Sequence, residues 1–370
     1  MSQHDEAARR AFLRRALALA TATLLAPASY RVAAKDVVID VRTKGARGNG
    51  NDDDTSAIQA AIDALPSSGG TVHVPAGNYM VDASHAINLR SNVRLDMAPD
   101  ARLTALPNAL KRYHIIKVWD ADNVQITGGR IVGERDLHQD VQGEWGYGIN
   151  ITGSHNVTVT GTHISGCWGD GVLISAKGKG ANMEMASDIT LQDVVCTNNR
   201  RQGMSLGPCQ RVRILNCTFS DTQGTKPQSG IDLEPMGQGQ VSDVLIQGCT
   251  MTGNKGCGVE IHRNVSGLVI RQCTIQDNSS YGILAVDMDN LWVDGNTIAS
   301  NGMNGITLGG HTSDVKITGN TLSSNSTRYL HRALKSLVSG PRGGGGSHKL
   351  DLRIDDSTSN VHVSGNTFNS

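Results

Sequence analysis

The sequence predicts an all-β fold, a right-handed parallel β-helix with an N-terminal capping helix. Three observations carry that reading: a short unit recurs from about Val124 to the C-terminus, apolar and polar residues alternate within each copy, and three columns align from copy to copy. The unit returns about every 22 to 24 residues, or about 32 where a loop is inserted, and is clearest at residues 212–233, 244–261, 268–285, 291–308 and 315–325. Each copy has a short alternating run, a small turn, a second run, a polar turn, and then Gly followed by an aliphatic residue. Such runs are too short for a sandwich, and one unit cannot bury its own apolar face, so the copies must stack.

Aligning the copies puts Val194, Cys217, Cys249, Cys273, Asn296, Asn320 and Asn366 at one position. Two residues later the column reads Cys196, Phe219, Met251, Ile275, Ile298, Leu322 and Phe368. The first is a Cys-to-Asn ladder and the second a stack of core side chains. Gly148, Gly171, Gly203, Gly230, Gly258, Gly282 and Gly305 form a third column that opens the following strand. A chain of 370 residues ordinarily suggests two domains, but a solenoid lengthens by repetition and stays one. Aromatic residues at 4% and 43 glycines suit a narrow aliphatic core with many turns. A formal net charge of zero points away from nucleic acid. After the leader no run of about 20 apolar residues occurs, so no membrane span is expected.

Residues 1–34 read as a twin-arginine-type signal peptide, with Arg9-Arg10-Ala11-Phe12-Leu13-Arg14 before an Ala/Leu run and cleavage expected after Ala28 or Ala34. The expectation is a periplasmic or secreted protein, exported already folded. Folding in a reducing cytosol predicts that the seven cysteines, three of them in one column, are buried free thiols. No CxxC pair or His/Cys cluster has zinc spacing, so no metal is expected. Residues 35–100 form the cap and first coils. There Ser56 and Gln59 read as a capping box, and Ile58, Ala61, Ile62 and Leu65 share one helical face that would cover the open strand edge. Residues 101–325 are β-helix coils and 350–370 the last coil. Between them residues 326–349 are a basic insertion carrying Arg328, His331, Arg332 and Lys335, suited to packing over the C-terminal end or to guiding an anionic chain.

Gly45-Ala46, Gly48, Gly50, Asp53-Asp54-Thr55, Ala57-Ile58-Gln59 and Gly69-Gly70-Thr71, with Pro75-Ala76-Gly77, resemble the N-terminal segment of the pectate-lyase-like superfamily. The resemblance implies a β-helix acting on polysaccharides, in a group that includes polygalacturonase-related hydrolases, tailspike depolymerases and uronate epimerases. The Gly-Asp-Asp and Gly-His-Gly motifs of polygalacturonases are absent from this sequence, and no Arg-x-Lys run occurs on the coils after residue 101. The run Ser229-Gly230-Ile231-Asp232-Leu233-Glu234-Pro235 is similar in position to the alginate-epimerase run Tyr-Gly-Phe-Asp-Pro-His-Glu, and only Asp232 carries over.

The site itself is read from coil geometry. Along the strand opened by the glycine column, the residue after Gly points inward and the second and fourth point outward. The outward pairs are Asn150/Thr152, Leu173/Ser175, Ser205/Gly207, Asp232/Glu234, Glu260/His262, Leu284/Val286 and Thr307/Gly309, and ionisable groups fall on two neighbouring coils only. With parallel strands ~4.8 Å apart and alternate residues ~6.6 Å apart, Asp232, Glu234, Glu260 and His262 form one quartet. Carboxylates so close repel, which raises at least one pKa and sets a protonated acid beside an ionised base. Glycosidic cleavage needs that pairing. The turns before the glycine column add Trp145, Tyr147, Trp168, Asp170, Arg200, Arg201, Lys226, Lys255 and Tyr281, and Arg263 follows the quartet. They predict a substrate-binding rail, aromatic faces stacking on sugar rings and cations meeting anionic substituents.

Three functions fit. The first is a hydrolase cleaving a polysaccharide, expected to be acidic, with Asp232, Glu234 and Glu260 as acid and base or nucleophile and His262 tuning them. The second is a polyuronate lyase or C5-epimerase, in which the carboxylates would hold Ca²⁺ and Lys255, His262 or Tyr281 would serve as base. The third is a glycan-binding solenoid without catalysis. Hydrolysis needs no cofactor. The expected partner is a polysaccharide, not nucleic acid or membrane, with the protein a monomer or homotrimer.

Overall fold

The computed structural model describes residues 37–235, 237, 239–328 and 351–369, so the leader reading and most of the basic insertion lie outside the described residues. The described residues wind as a parallel β-helix whose coils each pass through three faces. A long alternating run such as Cys209–Leu215 pairs in parallel with Ala186–Gln192 on one side and Val241–Gln247 on the other. After a turn comes a three-residue strand, Thr218–Ser220, between Val195–Thr197 and Thr250–Thr252. The third face is a sheet of ten strands among the described residues, running from Ile87–Leu89 through Arg112–Trp119, Trp145–Thr152, Asp170–Ser175, Gln202–Leu206, Ile231–Leu233 and Val259–Ile261 to Leu352–Ile354.

The columns expected from the sequence coincide with this register. Cys196, Phe219, Met251, Ile275, Ile298, Leu322 and Phe368 are successive partners across parallel strands, and all but Phe368 are fully buried. In the ladder column, Asn296 Nδ2 donates to Ile270 O at 2.9 Å and to Asn320 Oδ1 at 2.8 Å, and Asn320 repeats the pattern with Val293 O and Asn366 Oδ1. The backbone N–H of Cys217 donates to Cys249 Sγ at 3.4 Å, so the thiols occupy the same rungs. All seven cysteines are free and buried. A second ladder, Asn254, Asn278, Asn301 and Asn325 ending on Asp351, was not legible as a column in the sequence. Both ladders satisfy turn backbone groups that would otherwise be buried without partners.

The turns explain the composition. The residue before each ladder position is left-handed, from Asp193 (φ 54°) and Asn216 (53°) to Gly295 (62°) and Gly319 (63°), a conformation that Gly, Asn and Asp reach at least cost. The helix α1, Thr55–Asp63, buries Ile58, Ala61 and Ile62, with Leu65 just beyond it. Its start differs from expectation. The helix begins at Thr55, whose N–H donates to Asp53 Oδ1 at 2.9 Å, and Gln59 does not close a box with Ser56. Gln59 Oε1 instead accepts from Asn88 N at 2.9 Å, which ties the helix to the first strand of the ten-stranded sheet. Among the described residues no helix is long and apolar enough to cross a membrane.

Candidate active site

The outer face of the ten-stranded sheet carries the cluster. Register places Ser205 opposite Asp232 and Asp232 opposite Glu260, while Ile231, Leu233, Val259 and Ile261 alternate into the core. The glycine column sets the bend that makes this work. A Cβ at Gly171 would lie 2.8 Å from Asn199 Nδ2 and 2.9 Å from Cys196 Sγ, so only glycine lets the chain pass that close to the core.

His262 is anchored by its N–H to Leu233 O at 3.1 Å and turns its ring back over the preceding coil. Its Nε2 lies 3.1 Å from Asp232 Oδ1 and 3.7 Å from Glu260 Oε1. The shorter approach is a charge contact whose angles fall short of a hydrogen bond. The other Asp232 oxygen accepts from Gln202 Nε2 at 2.6 Å, Gln202 Oε1 accepts from Ser229 N at 2.8 Å, and Ser229 Oγ donates to Glu260 Oε2 at 2.7 Å. A second network adjoins the first. Arg201 bridges Asp170 Oδ2 at 3.1 Å and Glu234 Oε2 at 3.3 Å, and Ser205 Oγ donates to Asp170 Oδ2 at 2.8 Å.

Exposure separates the roles. The Asp170 and Asp232 side chains are 0% exposed, whereas Glu260 is 16%, Glu234 34% and His262 38%. Burial pushes Asp232 up to about 6, with His262 opposing the rise and Glu260 adding to it. Burial likewise pushes Asp170 up to about 6 against the pull of Arg201 and Ser205. The Asp232 carboxylate raises His262 above the ordinary imidazole value although burial works the other way. Arg201 is partly desolvated, yet Asp170, Asp232 and Glu234 together hold it more firmly charged than usual.

Of the four residues expected as a quartet, Asp232, Glu260 and His262 meet directly while Glu234 pairs with Arg201 beside them, and Asp232 is raised as expected, but mainly by burial rather than by its neighbours. Asp232 lies beneath His262, not at the surface. Ionisable groups are also not confined to two coils: Asp170 and Arg201 join from earlier windings, and Lys117 and Arg353 extend the row of Asp232 at its two ends. Asp170, Gln202 and Ser229 each precede a glycine of the column, where the bend turns one further side chain outward. That position is the signal the alternation rule passes over.

The rail needs larger correction. Trp168 is 8% exposed, stacked on His138 at 3.9 Å between ring centroids and covered by the Arg200 guanidinium at 3.7 Å. Tyr147 is buried and stacked on His114 at 5.6 Å. Both rings are spent on packing, so neither offers a face to a sugar. Trp145 is half-buried under Arg112, Arg201 belongs to the ion-pair network, and Tyr281 is half-buried. Lys226, Lys255 and Arg263 are exposed and form no ion pair with a described carboxylate. Calcium fits the cluster poorly: its carboxylates are engaged by Arg201, Gln202, Ser229 and His262, and no group of three or more His, Cys, Asp or Glu among the described residues is arranged to hold a metal ion.

Linked acids, an imidazole and a guanidinium thus gather on one outer sheet of a parallel β-helix. The chain is a member of the rhamnogalacturonase A/epimerase, pectate lyase-like family, which it matches over residues 38–231, more than half its length, and residues 228–370 match the right-handed β-helix region. It is 29% identical over 339 residues to the uncharacterized protein YclG of Bacillus subtilis (strain 168), a match covering 82% of this chain and 58% of that protein. The chain thus spans little more than half the length of that relative. Over 60 residues, 15% of this chain and 3% of the other, it is 48% identical to mannuronan C5-epimerase AlgE3 of Azotobacter vinelandii. Its fold is similar to that of the A-module of the Azotobacter vinelandii mannuronan C-5 epimerase AlgE6, with a TM-score of 0.66 at 20% identity over 89% of this chain and 99% of that one.

Proposed function

We propose that this protein cleaves a polysaccharide by hydrolysing glycosidic bonds over the ten-stranded sheet. The observation that supports this most directly is the register that sets Asp232 against Glu260 and Glu234 against His262. It leaves the backbone positions of Glu234 and Glu260 diagonal to each other on adjacent coils, ~8 Å apart from strand spacing and rise, with both side chains on the outer face. Inverting hydrolases hold their two carboxyls about 6.5–9.5 Å apart, leaving room for a water that one activates while the other protonates the leaving oxygen. Both glutamates reach solvent, as that chemistry requires. Asp232 is then a positioning residue, holding His262 charged between the two glutamates where a developing negative charge needs it. Export by the leader at residues 1–34 belongs to the same proposal, because it would deliver the enzyme to polymers outside the cytosol.

A second reading draws on the exposure of His262. An imidazole resting on a buried carboxylate also suits proton abstraction at C5 of a uronate, the first step of a lyase or an epimerase. One experiment separates the readings: incubation with neutral and acidic polysaccharides in deuterated buffer, following reducing ends, ultraviolet absorbance and deuterium at C5 together. Hydrolysis gives reducing ends alone. Absorbance rising with the reducing ends identifies a lyase, and deuterium without chain scission an epimerase.

A further inference from the structure

We propose that Lys117 and Trp119, with Arg112 and Trp145, form a subsite for a carboxylated sugar, displaced along the same sheet from the acidic cluster and so recognising a sugar other than the one that reacts. The inference rests on reading this sheet as the sugar-binding surface. Lys117 is opposite Asn150, Asn150 opposite Leu173, Leu173 opposite Ser205, and Ser205 opposite Asp232. Four strand spacings separate the ends of that row, about 19 Å.

Charge is sorted along the row. At one end are Asp232, Glu234 and Glu260, and the cations within ion-pair reach of them, Arg201 and His262, are already engaged. At the other end Lys117 and Arg112 meet no described carboxylate within ion-pair distance. Each lies against an aromatic ring instead: Lys117 Nζ is 3.9 Å from the centroid of Trp119, and the Arg112 guanidinium is 4.9 Å from that of Trp145. A cation held this way keeps its charge and most of its N–H donors for an anion. Between the two ends the alternating outward residues are Asn150, Thr152, Leu173, Ser175, Ser205 and Gly207, all uncharged, and the charged pair there, Asp170 with Arg201, is closed on itself. A Cβ at Gly207 would lie 2.5 Å from Ser175 Oγ, so the floor there is kept low.

Trp119 is the exposed aromatic of this surface, 39% accessible, and it is held in place. Its Nε1 donates to Asn150 Oδ1 at 3.1 Å, Asn150 Nδ2 lies 3.1 Å from His114 Nδ1, and the His114 ring meets Trp119 edge-on at 5.4 Å. An indole held in place and 39% exposed, with Lys117 over one face, matches a sugar ring bearing a carboxylate: the ring packs on the indole surface that stays exposed and the carboxylate meets Lys117. Arg112, planar and forked, provides a place for a second carboxylate on a longer chain.

The test is calorimetric titration of the full chain with oligosaccharides of increasing length, uronic, sulfated and neutral. Uronic chains are expected to bind in preference to neutral ones. Lys117→Gln and the double variant Lys117→Gln/Trp119→Ala should weaken uronic binding by about tenfold or more and reduce its salt dependence. Arg211→Ala, in the other sheet, should leave affinity unchanged. Unchanged affinity in the Lys117 variants, with folding verified by circular dichroism, overturns the subsite. So does equal binding of neutral chains by the wild type, and tighter binding of sulfated chains overturns its assignment to carboxylates. Lys117-dependent binding without cleavage of any polymer leaves the subsite standing and removes the hydrolytic reading. Cleavage that is insensitive to the Lys117 variants does the reverse.

Discussion

His262 stands on Asp232. The imidazole Nε2 is 3.1 Å from a carboxylate oxygen whose side chain is 0% exposed, and the ring itself is 38% exposed. The buried partner sets the charge of the accessible one, so chemistry at the surface is controlled from beneath. Gln202 fixes the other Asp232 oxygen at 2.6 Å, which leaves the carboxylate little freedom to turn away from the ring.

Replacing that carboxylate separates charge from shape. In Asp232→Asn the His262 pKa should fall toward the ordinary 6.5, and the alkaline limb of kcat/KM should move to lower pH with it. Activity at neutral pH is expected to drop by about 10²-fold, the low end of what a positioned acid–base group contributes. Ring-nitrogen NMR titration and a pH–rate profile read the two effects. A limb that stays in place while the ring pKa shifts would falsify the assignment of His262 to that limb.

Glu234→Gln and Glu260→Gln should each lower kcat by about 10²–10⁴-fold with smaller effects on KM. The anomer first released, seen by proton NMR before mutarotation, tests their pairing. Inversion fits the diagonal pair, while retention would shift the chemistry to the directly opposed Asp232 and Glu260.

The repeat made most of the fold legible. Side chains of alternating strands have a fixed period, so the columns through Phe219 and Cys217 could be aligned without coordinates, and the outward places of Asp232 and Glu260 followed. What the sequence withheld lies where that period breaks. The bend at Gly203 and Gly230 turns Gln202 and Ser229 outward, against simple alternation, and these two residues hold Asp232 and Glu260. Burial by distant loops was equally hidden. Trp168 reads as a free aromatic until His138, thirty residues earlier in the chain, is seen stacked on it. Trp119 is hidden for the complementary reason: it sits before the clear copies begin, on a strand without a glycine of the column.

The two raised acids should leave a mark on stability. Asp170 and Asp232 both rise from 3.8 to about 6 in the folded protein. Between those values the folded state retains protons that the unfolded chain has released, so stability should fall as pH rises from about 4 to about 6 through these two groups. His262 contributes in the same sense at higher pH: its folded value lies above 6.5, so the stability it adds is complete below that value and is lost as pH rises through the folded one. Urea unfolding across this range should show a slope that Asp170→Asn and Asp232→Asn each reduce. A slope unaltered in both variants would mean that neither carboxyl is shifted as described.

The ladder gives a prediction about the scaffold alone. Asn296 accepts from Cys273 N at 2.9 Å and donates to Ile270 O and Asn320 Oδ1, all in the interior. Alanine would strand these partners, and at about 1–3 kcal/mol for each buried unsatisfied group Asn296→Ala should cost about 3 kcal/mol or more. Cysteine is tolerated at the same rung in three neighbouring coils, where Cys217 N donates to Cys249 Sγ at 3.4 Å and Cys273 Sγ lies 3.7 Å from Ile246 O. Asn296→Cys should therefore lose less than alanine, because sulfur both accepts and donates weakly at that rung. Since neighbouring coils stabilise one another, hydrogen exchange in Asn296→Ala should rise first in the strands around the break, Leu268 to Ile317, before it rises elsewhere. Equal stability of the alanine and cysteine variants would show that the column is maintained by packing volume rather than by hydrogen bonding.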